Sequence, residues 1–288
     1  MNEKRLQALF KQGEDQTLEF KDGRIHPRRT ILVWISMLLI SLFFTGLSYA
    51  RIDEGSILGM WLFDEEDDEI ITDISGNEND GKIFGNPEWD EGKLGKAPVY
   101  DGVDDYVEIP DFSEQVKDGF TVTFWLYKID QDQDNRWLFG RYSGWSPGST
   151  SVLIFKDEGN RNVLYFAIQG EKTGPVSCTY SALEYKKWNH IATTYDKSVM
   201  KLYVNGAEVA SKIFTERVSS SGEPWYIGFD PGNQIQGLMD EVALFNVALT
   251  AEDIKRIYED GLGMATGILA VSPAEKIAAT WSSIRAEY

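Results

Sequence analysis

The sequence predicts an all-β protein, a sandwich of two antiparallel sheets preceded by one apolar segment and closed by short helices. Three observations predict it. From Gly59 onward, short runs rich in β-branched and aromatic residues recur along the chain. Turn residues such as Ser75-Gly76-Asn77, Asp101-Gly102 and Pro147-Gly148 punctuate nearly every gap between them. No helical period intervenes before residue 250, so strands must pack on strands.

The first element is not part of the sandwich. Residues 30–50, TILVWISMLLISLFFTGLSYA, carry no charge and follow Arg28-Arg29. Their apolar centre, 31–44, has the length of a signal-peptide core, and Ser48-Tyr49-Ala50 supplies a small-x-small cleavage pattern. The same 21 residues also suffice to span a bilayer as an N-terminal apolar helix. In either reading residues 1–29 are an n-region or cytoplasmic tail, and the acidic body is exported. The expected location is therefore secreted or membrane-anchored outside the cytoplasm, with membrane contact only through residues 30–50.

The strands follow at 60–64, 106–110, 120–129, 137–142, 151–156, 162–169, 190–196, 201–211, 224–230 and 237–245. Asn205-Gly206 splits the run 201–211 into a hairpin with a type I′ turn. Thr250 then caps a helix, with Asp253 three residues on and Ile254 and Ile257 on one face before Gly261. In the tail 262–288 a second, amphipathic helix is predicted over 273–286. Ser272 and Glu275 form its capping box, and Ile277, Trp281 and Ile284 its apolar stripe.

Composition narrows the function. The 288 residues are 42% apolar and 13% aromatic, enough for a sizeable core, and carry a formal charge of −18. Residues 1–29 hold seven Lys/Arg against five acids, which leaves 21 basic and 41 acidic residues for the rest. Such a body repels phosphate backbones, so nucleic acid is not an expected partner. Its acids suit solubility or a hard cation. Cys178 is the only cysteine and the two histidines, His26 and His190, flank the apolar segment. An intramolecular disulfide, a thiolate zinc site and a histidine-rich metal site are all excluded.

One residue type is out of place. In GLMDEVALFNVAL (237–249), Asp240 shares a strand face with Leu238, Val242 and Leu244, while Glu241 falls on the other face with Met239 and Ala243. A buried carboxylate needs a metal or hydrogen-bond donors. Trp61, Trp125 and Trp188 sit in apolar strands and read as core, and His190 as a structural histidine. Trp137, Tyr142 and Trp145 border the Gly/Ser/Pro loop SGWSPGST, and Trp225 follows Pro224. Such aromatics can pack under loops or stack on sugar rings, and they are the candidate ligand-binding residues.

Several motifs in order resemble the laminin-G-like, concanavalin A-like jelly roll, in particular its bacterial pentraxin-related branch. They are MWLFDE, ITDISGNENDGKIFGNPEW, VYDGVDDYVEIP, GFTVTFWLYK, WNHIATTYD with KLYVNGAEV, and GLMDEVALFNVALTAEDIKRIYEDG. The resemblance covers about 58–261. It implies a two-sheet jelly roll that recognises glycan, protein or lipid, and in many members a structural Ca²⁺. Asp73, Asn79 and Asp80 of DISGNENDG, completed by Asp240 and by Asp104 or Asp101, are the ligands it would have; otherwise Asp240 accepts loop N–H groups. On either account Asp240 pins the DISGNENDG loop and Glu241 matters less. The fold also carries glycoside hydrolases, but the interleaved Glu-x-Asp-x-x-Glu strand those enzymes use is missing, since DEEDDE (64–69) has no apolar residue between its acids. The expectation is a non-catalytic module for carbohydrate or glycoconjugate, with an extracellular protein as the alternative ligand and a divergent hydrolase as the third reading.

Overall fold

The computed structural model describes residues 52–64, 69–129, 136–141, 152–156, 163–219, 222, 224–228 and 235–268. All lie in the unit Arg51–Tyr288. The expected apolar helix at 30–50 and the expected helix at 273–286 lie outside the described residues. Among the described residues, no helix is long and apolar enough to cross a membrane.

The strands, in chain order, are β1 (Ile57–Trp61), β2 (Ile70–Ile71), β3 (Gly81–Phe84), β4 (Glu88–Glu91), β5 (Lys96–Asp101) and β6 (Tyr106–Ile109). Next come β7 (Phe120–Lys128), β8 (Arg136–Arg141), β9 (Val152–Lys156), β10 (Leu164–Gln169) and β11 (Pro175–Tyr180). The last are β12 (Trp188–Tyr195), β13 (Val199–Val204), β14 (Ala207–Ile213), β15 (Trp225–Ile227) and β16 (Gln236–Phe245). Two helices follow, α1 (Ala251–Asp260) and α2 (Leu262–Thr266).

The fold is the antiparallel two-sheet sandwich that the sequence predicts. Sheet I runs β14-β13-β12-β7-β16-β5-β4 with β1 also on β16, and sheet II runs β11-β10-β9-β8-β15-β6-β3-β2. Strands β2 to β5 and β11 were not legible as strands. They are short or interrupted by Pro98, Gly81 and charge, and each is stabilised by a neighbour rather than by its own pattern. Asn205 and Gly206 have φ of 50° and 77°, both positive, as a type I′ turn between β13 and β14 requires.

Between the sheets lies one core of Trp61, Phe112, Phe120, Phe124, Phe139, Phe166, Tyr195, Trp225 and their aliphatic neighbours. A second apolar layer lies on the outer face of sheet I. There Met60, Tyr203, Ala243 and Phe245 meet Ile254 and Ile257 of α1 and Leu262 and Ala265 of α2. The expected capping box starts α1: Thr250 accepts from the Asp253 N–H, and the Asp253 carboxylate from the Thr250 N–H. Helices α1 and α2 therefore roof sheet I. The outer face of sheet II carries no described helix.

Trp61 is core as expected. Trp125 is also buried, but on the roofed face, against His190 and Tyr258 at 5.2 and 5.6 Å between ring centroids. Trp188 is only half-buried. His190 is structural: its Nε2 lies 2.7 Å from Thr123 Oγ1, and burial followed by the nearby Lys93 charge lowers its pKa to about 3, so it stays neutral.

Candidate functional site

Of the residues expected to hold calcium, Asp73, Asn79 and Asp80 meet within one loop, whereas Asp240 and Asp104 have other partners. In the DISGNENDG loop, Asp73 is buried and accepts hydrogen bonds from the N–H groups of Met60 (2.8 Å), Ser75 (2.9 Å) and Asn79 (3.1 Å) and from the Ser75 hydroxyl (2.8 Å). Asp80 accepts from the Asp73 N–H at 2.9 Å. Asn77 and Asn79 donate through their amides to the Ile57 and Leu58 carbonyls, and Trp61 Nε1 donates to the Asn79 carbonyl. The loop is thus stitched to β1 by its own side chains, and Asp73 is its pin.

Asp240 pins a different turn. Its Oδ2 accepts from Lys93 N–H (2.7 Å) and Leu94 N–H (3.0 Å), and its Oδ1 from Glu241 N–H (2.8 Å). The expectation that it completes a cage with DISGNENDG is corrected: it is satisfied by backbone donors of the turn between β4 and β5. Glu241 corrects a second expectation. The register between β16 and β7 slips between Asp240 and Ala243, and Glu241 has φ of 51°. This bulge inserts one residue, so Met239 and Val242 both face the inter-sheet core while both carboxylates turn to the roofed side. Glu241 is buried there and accepts from Leu262 N–H at 2.9 Å.

Among the described residues, the acids that do gather at metal-ligand spacing are Asp101, Asp104 and Asp105, with oxygens within 4.8 Å of one another. Asp104 was expected in a metal site and Asp105 was not. These residues make the turn from β5 to β6. Asp105 is buried, accepts from Asp101 N–H at 2.9 Å, and lies so near Gly85 that a Cβ there would sit 2.2 Å from its Oδ1. Burial, then repulsion from Asp101 and Asp104, pushes Asp105 up to about 6. Three hard oxygen donors with unfavourable mutual charge fit Ca²⁺ chemically.

The candidate ligand-binding aromatics divide. Trp225 has no exposed surface and lies in the inter-sheet core, edge-on to Phe112 and Phe139 at 6.3 and 5.8 Å, so it is not on a ligand face. Trp137 packs with Ala167 outside that core and is 8% exposed. Tyr142 and Trp145 lie outside the described residues.

A different set of rings reaches the surface. Ile83, Val107 and Ile227 of β3, β6 and β15 point into the core. Their strand neighbours Lys82, Phe84, Tyr106, Glu108 and Tyr226 therefore point out of sheet II. Phe84 and Tyr106 stack at 4.6 Å with 7° between planes, and Tyr226 meets Tyr106 edge-on at 6.0 Å. Lys82 Nζ lies 5.0 Å from the Phe84 ring centre. Across the strands Lys82, Glu108, Tyr226 and Gly140 are in register. The row is half-buried apart from the exposed Lys82. It begins where the acid turn ends, because Tyr106 follows Asp105 and Phe84 precedes Gly85. Burial and the Glu108 charge raise the Tyr106 pKa, which keeps its hydroxyl a donor.

Comparison with known proteins gives a consistent picture. Residues 101–255 match the laminin G-type family model described as the concanavalin A-like lectin/glucanases superfamily. Mouse pappalysin-1 is 27% identical over 159 residues, 49% of this chain, and human pappalysin-1 is 26% identical. The match spans only 10% of either relative. Among solved structures, the binding domain of botulinum neurotoxin DC, in complex with rat synaptotagmin II, superposes with a TM-score of 0.58 at 14% identity. That match covers 73% of this chain and 52% of the toxin domain. Domain 4 of an extracellular arabinanase from Geobacillus stearothermophilus, in complex with arabinotriose, has a TM-score of 0.55 at 20% identity, covering 71% and 98%. At these identities the likeness establishes the fold.

Proposed function

We propose that this chain, which belongs to the concanavalin A-like lectin/glucanases superfamily, is an exported, non-catalytic module that binds carbohydrate or glycoconjugate on the outer face of sheet II. The observation that carries this reading is the ring row Phe84–Tyr106–Tyr226 with Glu108 and Lys82 beside it. Sugar C–H faces stack on aromatic rings, and flanking polar groups fix orientation. Calcium would be held by Asp101, Asp104 and Asp105, where it would neutralise their charge and stiffen the turn that leads into Tyr106. Export rests on the uncharged segment 30–50 behind Arg28-Arg29. Two solved neighbours support the ligand class, one in complex with arabinotriose and one with a sialylated ligand. A neighbour in complex with synaptotagmin II keeps a protein ligand as the second reading.

A glycan array probed with the full chain, with and without EDTA, tests the proposal. The expected result is binding to a defined set of glycans that the double variant Tyr106→Ala/Tyr226→Ala loses. Unchanged glycan binding by that variant would remove the site. No glycan bound in either buffer would favour the protein reading.

A further inference from the structure

Asp240 and Glu241 form a buried pair that the ligand-binding reading does not use. They are 0% and 4% exposed, adjacent in sequence, and turned to the same side of sheet I by the bulge at Glu241. Each accepts hydrogen bonds from a different segment. Asp240 holds the turn after β4 through Lys93 and Leu94, and Glu241 holds the first residue of α2, Leu262. The two segments also touch, since a Cβ on Gly261 would lie 2.7 Å from Leu94 Cδ1. Gly92 is equally tight: a Cβ there would lie 2.7 Å from Asp240 Oδ2. The pair thus sits at the junction of a turn, a helical corner and the central strand.

No described cation neutralises it. The neighbouring ammonium, Lys93 Nζ, lies 4.3 Å from the Trp125 ring centre, and burial lowers its pKa. From the segment after β1 comes a further acid, Asp64, which accepts from Lys96 N–H. From β5 comes Tyr100, whose hydroxyl is pushed up by burial and by the charges of Asp105 and Asp240 and stays protonated. From β12 comes His190, neutral in its apolar box, and from α1 comes Tyr258 beside it.

We propose that Asp240 and Glu241 are a proton-operated latch, which fastens the turn at 92–95 and the α1–α2 corner to sheet I while the pair holds a proton and loosens them when both groups are charged. Two adjacent carboxylates in one apolar site cannot both ionise without strong repulsion. Burial, opposed by the backbone donors, raises Asp240 to about 7 and Glu241 to about 8, with Asp64 adding to both. Because the folded state binds these protons more tightly than the unfolded chain, the latch contributes fully at pH below about 4. Its contribution falls as pH rises through 7 to 8.

Thermal melting of the full chain in EDTA from pH 5.5 to 9 tests this, on wild type and on Glu241→Gln, which keeps an oxygen acceptor but carries no charge. The expected result is a melting temperature that falls by several degrees across the range in wild type and much less in the variant. The variant should then melt above wild type at pH 9 and not at pH 5.5. Equal pH dependence in the two proteins would overturn the latch. So would a parallel series without EDTA in which added calcium raised the wild-type melting temperature but not the variant's, which would make the pair an ion site. If the variant does not fold, ¹³C carboxyl titration of wild type decides: midpoints above 6 for Asp240 and Glu241 are expected, and ordinary midpoints near 4 overturn the proposal.

Discussion

Two clusters of acidic residues in this sandwich are handled in different ways. On sheet I, Asp240 and Glu241 lie under the turn at 92–95 and the corner of α1 and α2, with their oxygens directed at backbone N–H groups. In the turn that crosses from β5 of sheet I to β6 of sheet II, Asp101, Asp104 and Asp105 crowd together and lead to a row of part-exposed rings on sheet II. Covered acids are consumed by the fold and hold elements in place. In the crowded turn Asp101 and Asp105 also accept backbone N–H groups, but Asp101 and Asp104 keep exposed surface. Burial, more than the carboxylate itself, therefore separates the two clusters.

The sharpest way to break that comparison is to swap sides at consecutive positions. Trp225 and Tyr226 are neighbours on β15, one wholly in the core and one on the outer face. Trp225→Ala should cost about 3–5 kcal/mol by leaving a cavity between Phe112 and Phe139. For a domain of this size that is a fall of roughly 2–4 °C in melting temperature per kcal/mol. Tyr226→Ala should cost much less stability and instead weaken ligand binding. Denaturant melts and binding curves on both variants decide, and equal stability losses would erase the distinction between the faces.

The same pair shows how much was legible in the sequence. The strand boundaries of the long apolar runs, the Asn205-Gly206 turn and the Thr250 capping box all follow from local pattern. Trp225 reads as a ligand candidate because tryptophan beside a Gly/Ser loop resembles a sugar platform. The alternation Trp225-Tyr226-Ile227 held the better signal, since Trp225 and Ile227 share the apolar face and Tyr226 must take the other. Tyr106 and Glu108, alternating with Val107 and Ile109, carry the same signal on β6. Glu241 was beyond this logic, because a bulge adds a residue that no strict two-residue period anticipates. The partners of Asp240 were also beyond it. Pairing a carboxylate with the backbone of a turn 146 residues away depends on sheet topology rather than on local sequence.

Calcium offers the next test of the contrast. If Asp101, Asp104 and Asp105 hold the ion, calcium at a hundredfold excess over its Kd should stabilise the fold by about 2.7 kcal/mol. Asp104→Asn should remove most of that gain while melting like wild type in EDTA, because Asp104 is exposed. Calcium stabilisation that persists in Asp104→Asn but disappears in Asp73→Asn would return the ion to the DISGNENDG loop. Differential scanning fluorimetry across a calcium titration reads both outcomes.

The smallest expected effect concerns what kind of glycan the proposed face would accept. Lys82 is exposed, and its ammonium lies over Phe84, a contact worth about 0.5–1 kcal/mol at such a site. Lys82→Ala should therefore shift the melting temperature by only a degree or two. Its effect on binding depends on ligand charge, because Lys82 is in register with Glu108 and Tyr226 in the cross-strand row. For an acidic sugar, removing the ammonium leaves Glu108 facing a like charge, so affinity should drop severalfold at low salt and the drop should shrink as salt screens it. For a neutral sugar stacked on Tyr106, affinity should stay within a factor of two at every salt concentration. Titrating one acidic and one neutral oligosaccharide against wild type and Lys82→Ala at two ionic strengths separates these cases. A loss of all binding in Lys82→Ala at high salt would instead show that the lysine supports the ring row itself, and would move Lys82 from the ligand's side of the comparison to the fold's.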